Sequence, residues 1–343
     1  MTELGIAKAA SAARLLELIS IQRISQSIYV AASLGIADLL ADGPKSAEQL
    51  ANATGVQAAS LRRVMRALVG FGVFAQDGAD RFALAPIGEF LKADVSGSLR
   101  PAALYFGGED GALIEGLLLH CVKTGETAIN KLYGEGRFSL LQRDPKKAEL
   151  FNAVMTSFST LHLTGVMEAY DFSGITKLVD IGGGHGKNLA EILKRYPEMR
   201  GVLFDMPHAF EGGKETIAKA GLNDRCDVVS GDFFKSVPVG AQGYLLSRVI
   251  HDWDDEKAIA ILKVVRRAIA PDGRLILLET MLRPGQSSLY PVLSDLNMML
   301  RTGGCERTEE EYRAICRAAG FELTRTVETI SPTGATVVEG KPA

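Results

Sequence analysis

The chain has little of what an extracellular, metal-binding or membrane protein needs. Its four cysteines, Cys121, Cys226, Cys305 and Cys316, are scattered through 343 residues and form no Cys-x-x-Cys pair. That excludes a dense disulfide framework and reads as reduced thiols of a cytoplasmic protein. There is no His-x-x-x-His, so no catalytic metal is expected. No apolar run approaches the ~20 residues of a membrane span. The start of the chain, with Glu3, lacks the basic-then-apolar pattern of a signal peptide. Positive charge is not in excess either: 38 Lys and Arg face 41 Asp and Glu, a net charge of -3. That argues against nonspecific binding to nucleic acid or to an anionic membrane.

What is present is an ordinary globular composition, 47% hydrophobic and 23% charged, in a chain long enough for two or three domains. One stretch organises it. Leu178-Val179-Asp180-Ile181 reads as a short buried strand, Gly182-Gly183-Gly184-His185-Gly186 as a turn, and Lys187 to Lys194 as a helix. Strand, glycine turn and helix form the first half of a nucleotide-binding βαβ unit, in which backbone N–H groups approach a ligand unobstructed by Cβ atoms. The dinucleotide pattern Gly-x-Gly-x-x-Gly fails at Lys187, and no P-loop spacing follows. Asp180 ahead of Gly182 and Gly184 would repel a pyrophosphate. It suits a cofactor with a cationic amino-acid end and a sulfonium, the pattern of S-adenosylmethionine (SAM) methyltransferases.

Taken in order, residues 11–41 are helical by pattern, with too many apolar positions for one stripe. Leu15, Leu16, Leu18 and Ile19 therefore imply a partner surface. Ser46-Ala47-Glu48-Gln49 fits a capping box, a second helix runs from Ala58 to Val69, and a hairpin turns at Asp77-Gly78. This is a winged-helix pattern. It admits a rival reading in which Arg62, Arg63 and Arg66 enter a DNA major groove, against the simpler one of a solvated face. Residues 86–170 read as mostly helical, ending in a helix from Glu149 to Tyr170. From 175 onward, strands near 178–181, 201–205, 226–232, 243–247 and 274–279 alternate with helices, which predicts a parallel doubly wound sheet. Two final strands, 321–330 and 335–339, look like an antiparallel hairpin.

Ligands of such sheets bind at the carboxyl ends of the strands. Asp180, Asp205, Asp232 and Glu279 all fall at that edge. Asp205 is placed to accept the ribose hydroxyls of an adenosine, and Asp232 with Phe233 to take its adenine. His251, in His251-Asp252-Trp253-Asp254-Asp255, follows the fourth strand. An imidazole there can take the proton of a phenol, provided an acceptor orients its other ring nitrogen. Glu279 and Glu306 are the candidates.

The motifs Asp180 to Gly186, Phe204-Asp205-Met206-Pro207, Gly231-Asp232-Phe233-Phe234, His251 to Asp255 and Gly303 to Thr308, in this order, resemble the SAM-dependent O-methyltransferases. The group is the one containing plant caffeate enzymes, acetylserotonin O-methyltransferase and bacterial natural-product enzymes. The resemblance implies a Rossmann-like α/β fold with three parts: a winged-helix dimerisation domain over 1–100, pocket helices over 101–170 and a SAM-binding domain over 171–343. It implies a homodimer, His251 as base steered by Glu279 and Glu306, and no nucleic-acid or membrane partner. Asp180, Gly182, Gly184, Asp205, Met206, Asp232, Phe233, Ser247, Arg248 and Ser159 would bind SAM. Met155, Phe158, His162, Trp253, Asn297 and Met298 would meet an aromatic substrate. Ser247 departs from the pattern, standing where plant members carry Lys, and Asn297 stands where they carry Met.

Overall fold

The computed structural model describes residues 3–78, 80–285 and 288–343. The chain divides into two compact units, Met1–Leu113 and Ile114–Ala343. The first begins with one unbroken helix, α1 (Glu3–Ser33), followed by α2 (Ile36–Leu39), β1 (Lys45–Ser46), α3 (Ala47–Thr54), α4 (Ala58–Gly70), β2 (Phe74–Asp77), β3 (Arg81–Leu84) and α5 (Arg100–Gly107). The capping box forms as the sequence predicts. The Ser46 hydroxyl accepts from the Gln49 N–H at 3.2 Å, and the Gln49 side chain accepts from the Ser46 N–H at 2.8 Å.

The core of this unit gathers Ile36, Leu40, Leu50, Leu61, Met65, Leu68, Phe74 and Phe82. Along α1, by contrast, Leu15, Leu16, Leu18, Ile19 and Ile21 are each at least half exposed. Spread around the helix rather than along one stripe, they make the kind of exposed apolar patch that marks an interaction surface. Arg62 ion-pairs with Glu48 and, at 3.1 Å, with Asp80, so it is committed within its own unit.

Beyond α6 (Glu109–Glu115), the second unit continues through α7 (Leu118–Thr124), α8 (Ala128–Tyr133), α9 (Arg137–Arg143) and the long α10 (Pro145–Ala169). Then β4 (Lys177–Ile181), α11 (Lys187–Arg195), β5 (Arg200–Asp205), α12 (Phe210–Lys219), β6 (Cys226–Ser230), β7 (Gly243–Ser247), α13 (Asp255–Ala268) and β8 (Arg274–Thr280) alternate. The chain closes with α14 (Tyr290–Arg301), α15 (Glu309–Ala318), β9 (Phe321–Glu328) and β10 (Ala335–Pro342).

These strands form one seven-stranded sheet in the order β6-β5-β4-β7-β8-β10-β9. Pairing is parallel from β6 to β8 and antiparallel around β10. Alternate residues face opposite layers. Val179, Ile181, Val202, Phe204, Tyr244 and Leu246 join one core, while Leu178, Leu203 and Leu245 join the other. The chain runs outward from β4 in one direction through β5 and β6, and in the other through β7 and β8. The crevice where that direction switches, at the carboxyl ends of β4 and β7, is where this architecture receives ligands. The glycine turn leaves β4 there, and Ser247 and Arg248 leave β7. No helix among the described residues is long and apolar enough to cross a membrane.

Candidate active site

The glycine turn is held open by its backbone. Gly182 and Gly184 adopt φ of 67° and 56°. A Cβ on Gly182 would lie 2.8 Å from Val249 and 3.8 Å from the Phe233 ring, whereas one on Gly184 would meet nothing within 4 Å. The turn is therefore packed from below and open above. The Asp205 carboxylate faces it, accepting the Gly184 N–H at 2.7 Å and the Met206 N–H at 2.6 Å. Asp232 accepts the Phe234 N–H at 2.9 Å. Phe233 lies 5.1 Å from Phe234, and both rings meet Trp253 edge-on, at 6.2 and 4.9 Å. Phe138 stacks on Trp253 at 5.5 Å. Trp253, expected among substrate contacts, thus stands in the aromatic wall with Phe233.

Asp180 is fully buried, and neither of its carboxylate oxygens has a hydrogen-bond partner. Burial, and then the charge of Asp205, push its carboxyl up to about 7. Asn188, on α11, donates to the Ser247 hydroxyl at 3.0 Å and keeps an unpartnered amide oxygen. An open glycine cradle, an orphaned carboxylate beneath it and an aspartate beside it fit a nucleoside carrying a cationic amino-acid tail. They fit SAM.

His251 stands on a 3-10 turn, Ile250–Asp252, just past β7. Its Nδ1 lies 2.9 Å from Glu306 Oε1 and 3.8 Å from Glu279 Oε2. The two glutamates do different work. Glu306 meets the ring directly, and the Ser294 hydroxyl donates to the same oxygen at 2.6 Å. Glu279 instead accepts the backbone N–H groups of Val249 and Ile250, at 3.1 and 2.8 Å. Arg307 completes the grip on the turn, donating to the carbonyls of Trp253 and Ile250 at 2.8 and 3.3 Å. Gly304 lets this loop pass, since a Cβ there would sit 2.1 Å from the His251 carbonyl oxygen.

The charges follow from the packing. Burial disfavours the charged imidazole, but Glu306 and Glu279 outweigh it and the His251 pKa rises above its ordinary 6.5. Burial works to raise Glu306, yet the charge and hydrogen bond of His251 hold its carboxyl low. Glu279 is pushed up to about 7, chiefly by burial. An ionised Glu306 favours a ring proton on Nδ1, the tautomer in which Nε2 is the nitrogen with a lone pair to offer. The same three side chains also converge closely enough to hold a metal ion, which their separation in sequence conceals.

On α10, Met155, Phe158, Ser159 and His162 recur at helical spacing along one face. Phe158 lies parallel to the His162 ring at 6.5 Å and edge-on to Tyr290 at 6.4 Å. Asn297 accepts from Arg301 at 2.6 Å, and Met298 is buried. The sequence did not single out Ser294 or Asn188, and it marked Gly304 only as part of the Gly303–Thr308 motif. Asn188 carries a signal, a polar residue early in the helix after the glycine turn. Nothing in the spacing ties Ser294 to Glu306.

Residues 117–322 match the O-methyltransferase domain family and residues 16–94 the O-methyltransferase dimerisation domain. A phenazine O-methyltransferase of Lysobacter antibioticus is 40% identical over 328 residues, covering 96% of this chain and 95% of that relative. The solved mitomycin 7-O-methyltransferase aligns with a TM-score of 0.90 at 34% identity, covering 99% of this chain and all of that one. A neocarzinostatin-biosynthesis O-methyltransferase was solved with SAM and 2-hydroxy-5-methyl naphthoic acid. It gives a TM-score of 0.79 at 31% identity, covering 93% of this chain and 96% of its own. With both domains matched and relatives of this identity and coverage, the chain belongs to the SAM-dependent O-methyltransferases, in the company of enzymes of bacterial natural-product biosynthesis.

Proposed function

We propose that this enzyme methylates a hydroxyl of a small aromatic molecule, with His251 as general base, and works as a homodimer joined through its N-terminal units. The observation that carries the reading is the 2.9 Å bond from Nδ1 to Glu306, which turns Nε2 into the free base. SAM, when bound, supplies a methyl group made electrophilic by its sulfonium. Asp180, Gly182, Gly184, Asp205, Met206, Asp232, Phe233, Ser247 and Ser159 would hold it. Met155, Phe158, His162, Asn297 and Met298 would line the acceptor side. A phenol has a pKa of about 10, so its oxygen attacks well only as the proton leaves. His251 takes that proton at Nε2, and Glu306 stabilises the imidazolium that results.

The raised pKa of His251 sets the sign of the pH dependence. Activity needs the neutral ring, so kcat falls as pH drops through a value above 6.5. In Glu306→Gln the carboxylate that raises this pKa is gone. The acid limb then moves to lower pH and the plateau drops. A pH–rate profile whose acid limb stays put in that variant would separate Glu306 from the base. Dialysis against EDTA is expected to leave turnover unchanged. A loss restored by a divalent cation would make the three converging donors a metal site instead.

A further inference from the structure

Two polar side chains beside His251 carry buried nitrogens without a hydrogen-bond partner. Arg248, three residues before His251, holds a left-handed backbone at φ 56°, the one described non-glycine residue to do so. Such a conformation costs about 1–3 kcal/mol and persists where the surroundings enforce it. The side chain it aims inward has Nε and Nη1 buried with no hydrogen-bond partner. Its guanidinium lies 5.4 Å from the centre of the Phe158 ring. On the same helix, His162 is 3% exposed, and its Nε2 is likewise unpartnered. Burial, then the charges of Arg248 and His251, keep that imidazole neutral, so it can offer an N–H without adding charge. A guanidinium with two buried, unpartnered nitrogens and a neutral imidazole, both against one aromatic ring, fit a planar anion, a carboxylate above all.

We infer that Arg248 and His162 form an anion subsite that recognises a carboxylate carried by the aromatic acceptor, so that the substrate is a hydroxylated aromatic acid. This rests on the acceptor-pocket reading above. The resemblance counts Arg248 among the SAM contacts, and the cofactor also has a carboxylate, so the S-adenosylhomocysteine arm of the test below separates the two sources. Ser247 reaches Asn188 on α11, under the glycine turn, whereas Arg248 reaches Phe158 on α10. Consecutive side chains at the end of β7 thus part, one toward the glycine turn and the other toward Phe158 on α10, the helix that also carries His162. Glu279, Glu306 and Asp252 act on Arg248 through their charge, but none hydrogen-bonds its Nε or Nη1. Those donors stay available for a ligand.

The test is isothermal titration of the full-length protein, saturated with S-adenosylhomocysteine, using 1-hydroxy-2-naphthoic acid and 1-naphthol as probes. The wild type is expected to bind the acid at least about tenfold more tightly, the scale of one charge-assisted pair. Arg248→Met keeps the apolar stem on Phe158 and should bring the ratio to about one, with S-adenosylhomocysteine affinity changed by less than about twofold. Arg248→Lys should fall between, and His162→Leu should lower the ratio in part. Three results overturn the inference: no preference in the wild type, a preference that survives Arg248→Met, or equal weakening of both probes. Weakened S-adenosylhomocysteine binding in Arg248→Met would assign the guanidinium to the cofactor and overturn it too. Should Arg248→Met fail to fold, the Lys and Leu variants carry the same comparison. Because only binding is read, a failure of His251 as base leaves this result standing on its own.

Discussion

His251→Ala loses turnover by about 10²–10⁴-fold, the usual worth of a positioned general base, while S-adenosylhomocysteine still binds. The two effects separate because the cradle is built elsewhere. Gly184 and Asp205 are joined at the ends of β4 and β5, and Asp232 is tied to its own turn. The alanine variant also leaves Glu306 buried without its imidazole, and breaking such a pair by removing one partner destabilises proteins by about 3–5 kcal/mol. His251→Asn meets that objection by keeping an amide that can donate to Glu306. The same loss of turnover is expected, with a melting temperature nearer the wild type. Labelled methyl from SAM, followed into a phenolic product, is the measurement. Turnover within about tenfold of wild type in both variants would remove the base from the mechanism.

Much of this arrangement was legible in the sequence because it is local. The strand before Gly182, the turn and the helix after it are neighbours in the chain, and so are Ser46 and Gln49 in their capping box. Glycine and alternation leave marks that a few residues can carry. The base and its partners are different. His251, Glu279 and Glu306 come from three elements, and sequence could name both glutamates without dividing their work. Packing divides it: Glu279, at the end of β8, gives Oε1 to the Val249 and Ile250 amides and stands 3.8 Å from Nδ1 with Oε2, so Glu306 makes the hydrogen bond to the ring.

Trp253 shows the opposite limit. It is two residues from His251, but the 3-10 turn ends and the backbone becomes extended at Trp253, and the indole swings into the wall of Phe233, Phe234 and Phe138. These contacts leave the acceptor role expected of Trp253 untouched; they fix the direction of the indole, which spacing along the chain does not specify where the backbone changes form. The helix expected over residues 11–41 starts earlier, at Glu3, and stops at Ser33, short of the expected end. The chain from Ala7 to Ser33 contains no glycine or proline, so α1 runs on until Gly35 turns it at φ 63°.

The orphaned carboxyl of Asp180 makes the second large prediction, one of stability rather than rate. In the fold its pKa stands at about 7, against 3.8 for the free group. The native state therefore holds this proton longer than the unfolded chain does. Between those two values native protein binds more protons than unfolded, so stability falls as pH rises; below the lower value the group contributes nothing, and above the upper one the penalty is complete. A gap of that size corresponds to roughly 4 kcal/mol. Asp180→Asn has no proton to lose. In urea unfolding of the cofactor-free protein, the variant should become more stable than the wild type as pH rises from about 4 to 7, and Glu279, which titrates in both, cancels in the difference. S-adenosylhomocysteine brings an ammonium to a cradle with an unpartnered anion beneath it, so saturating it should shrink that difference. Curves of equal slope with and without the Asn substitution would mean that Asp180 already has a partner in solution, and the cradle would lose its claim to a cationic tail.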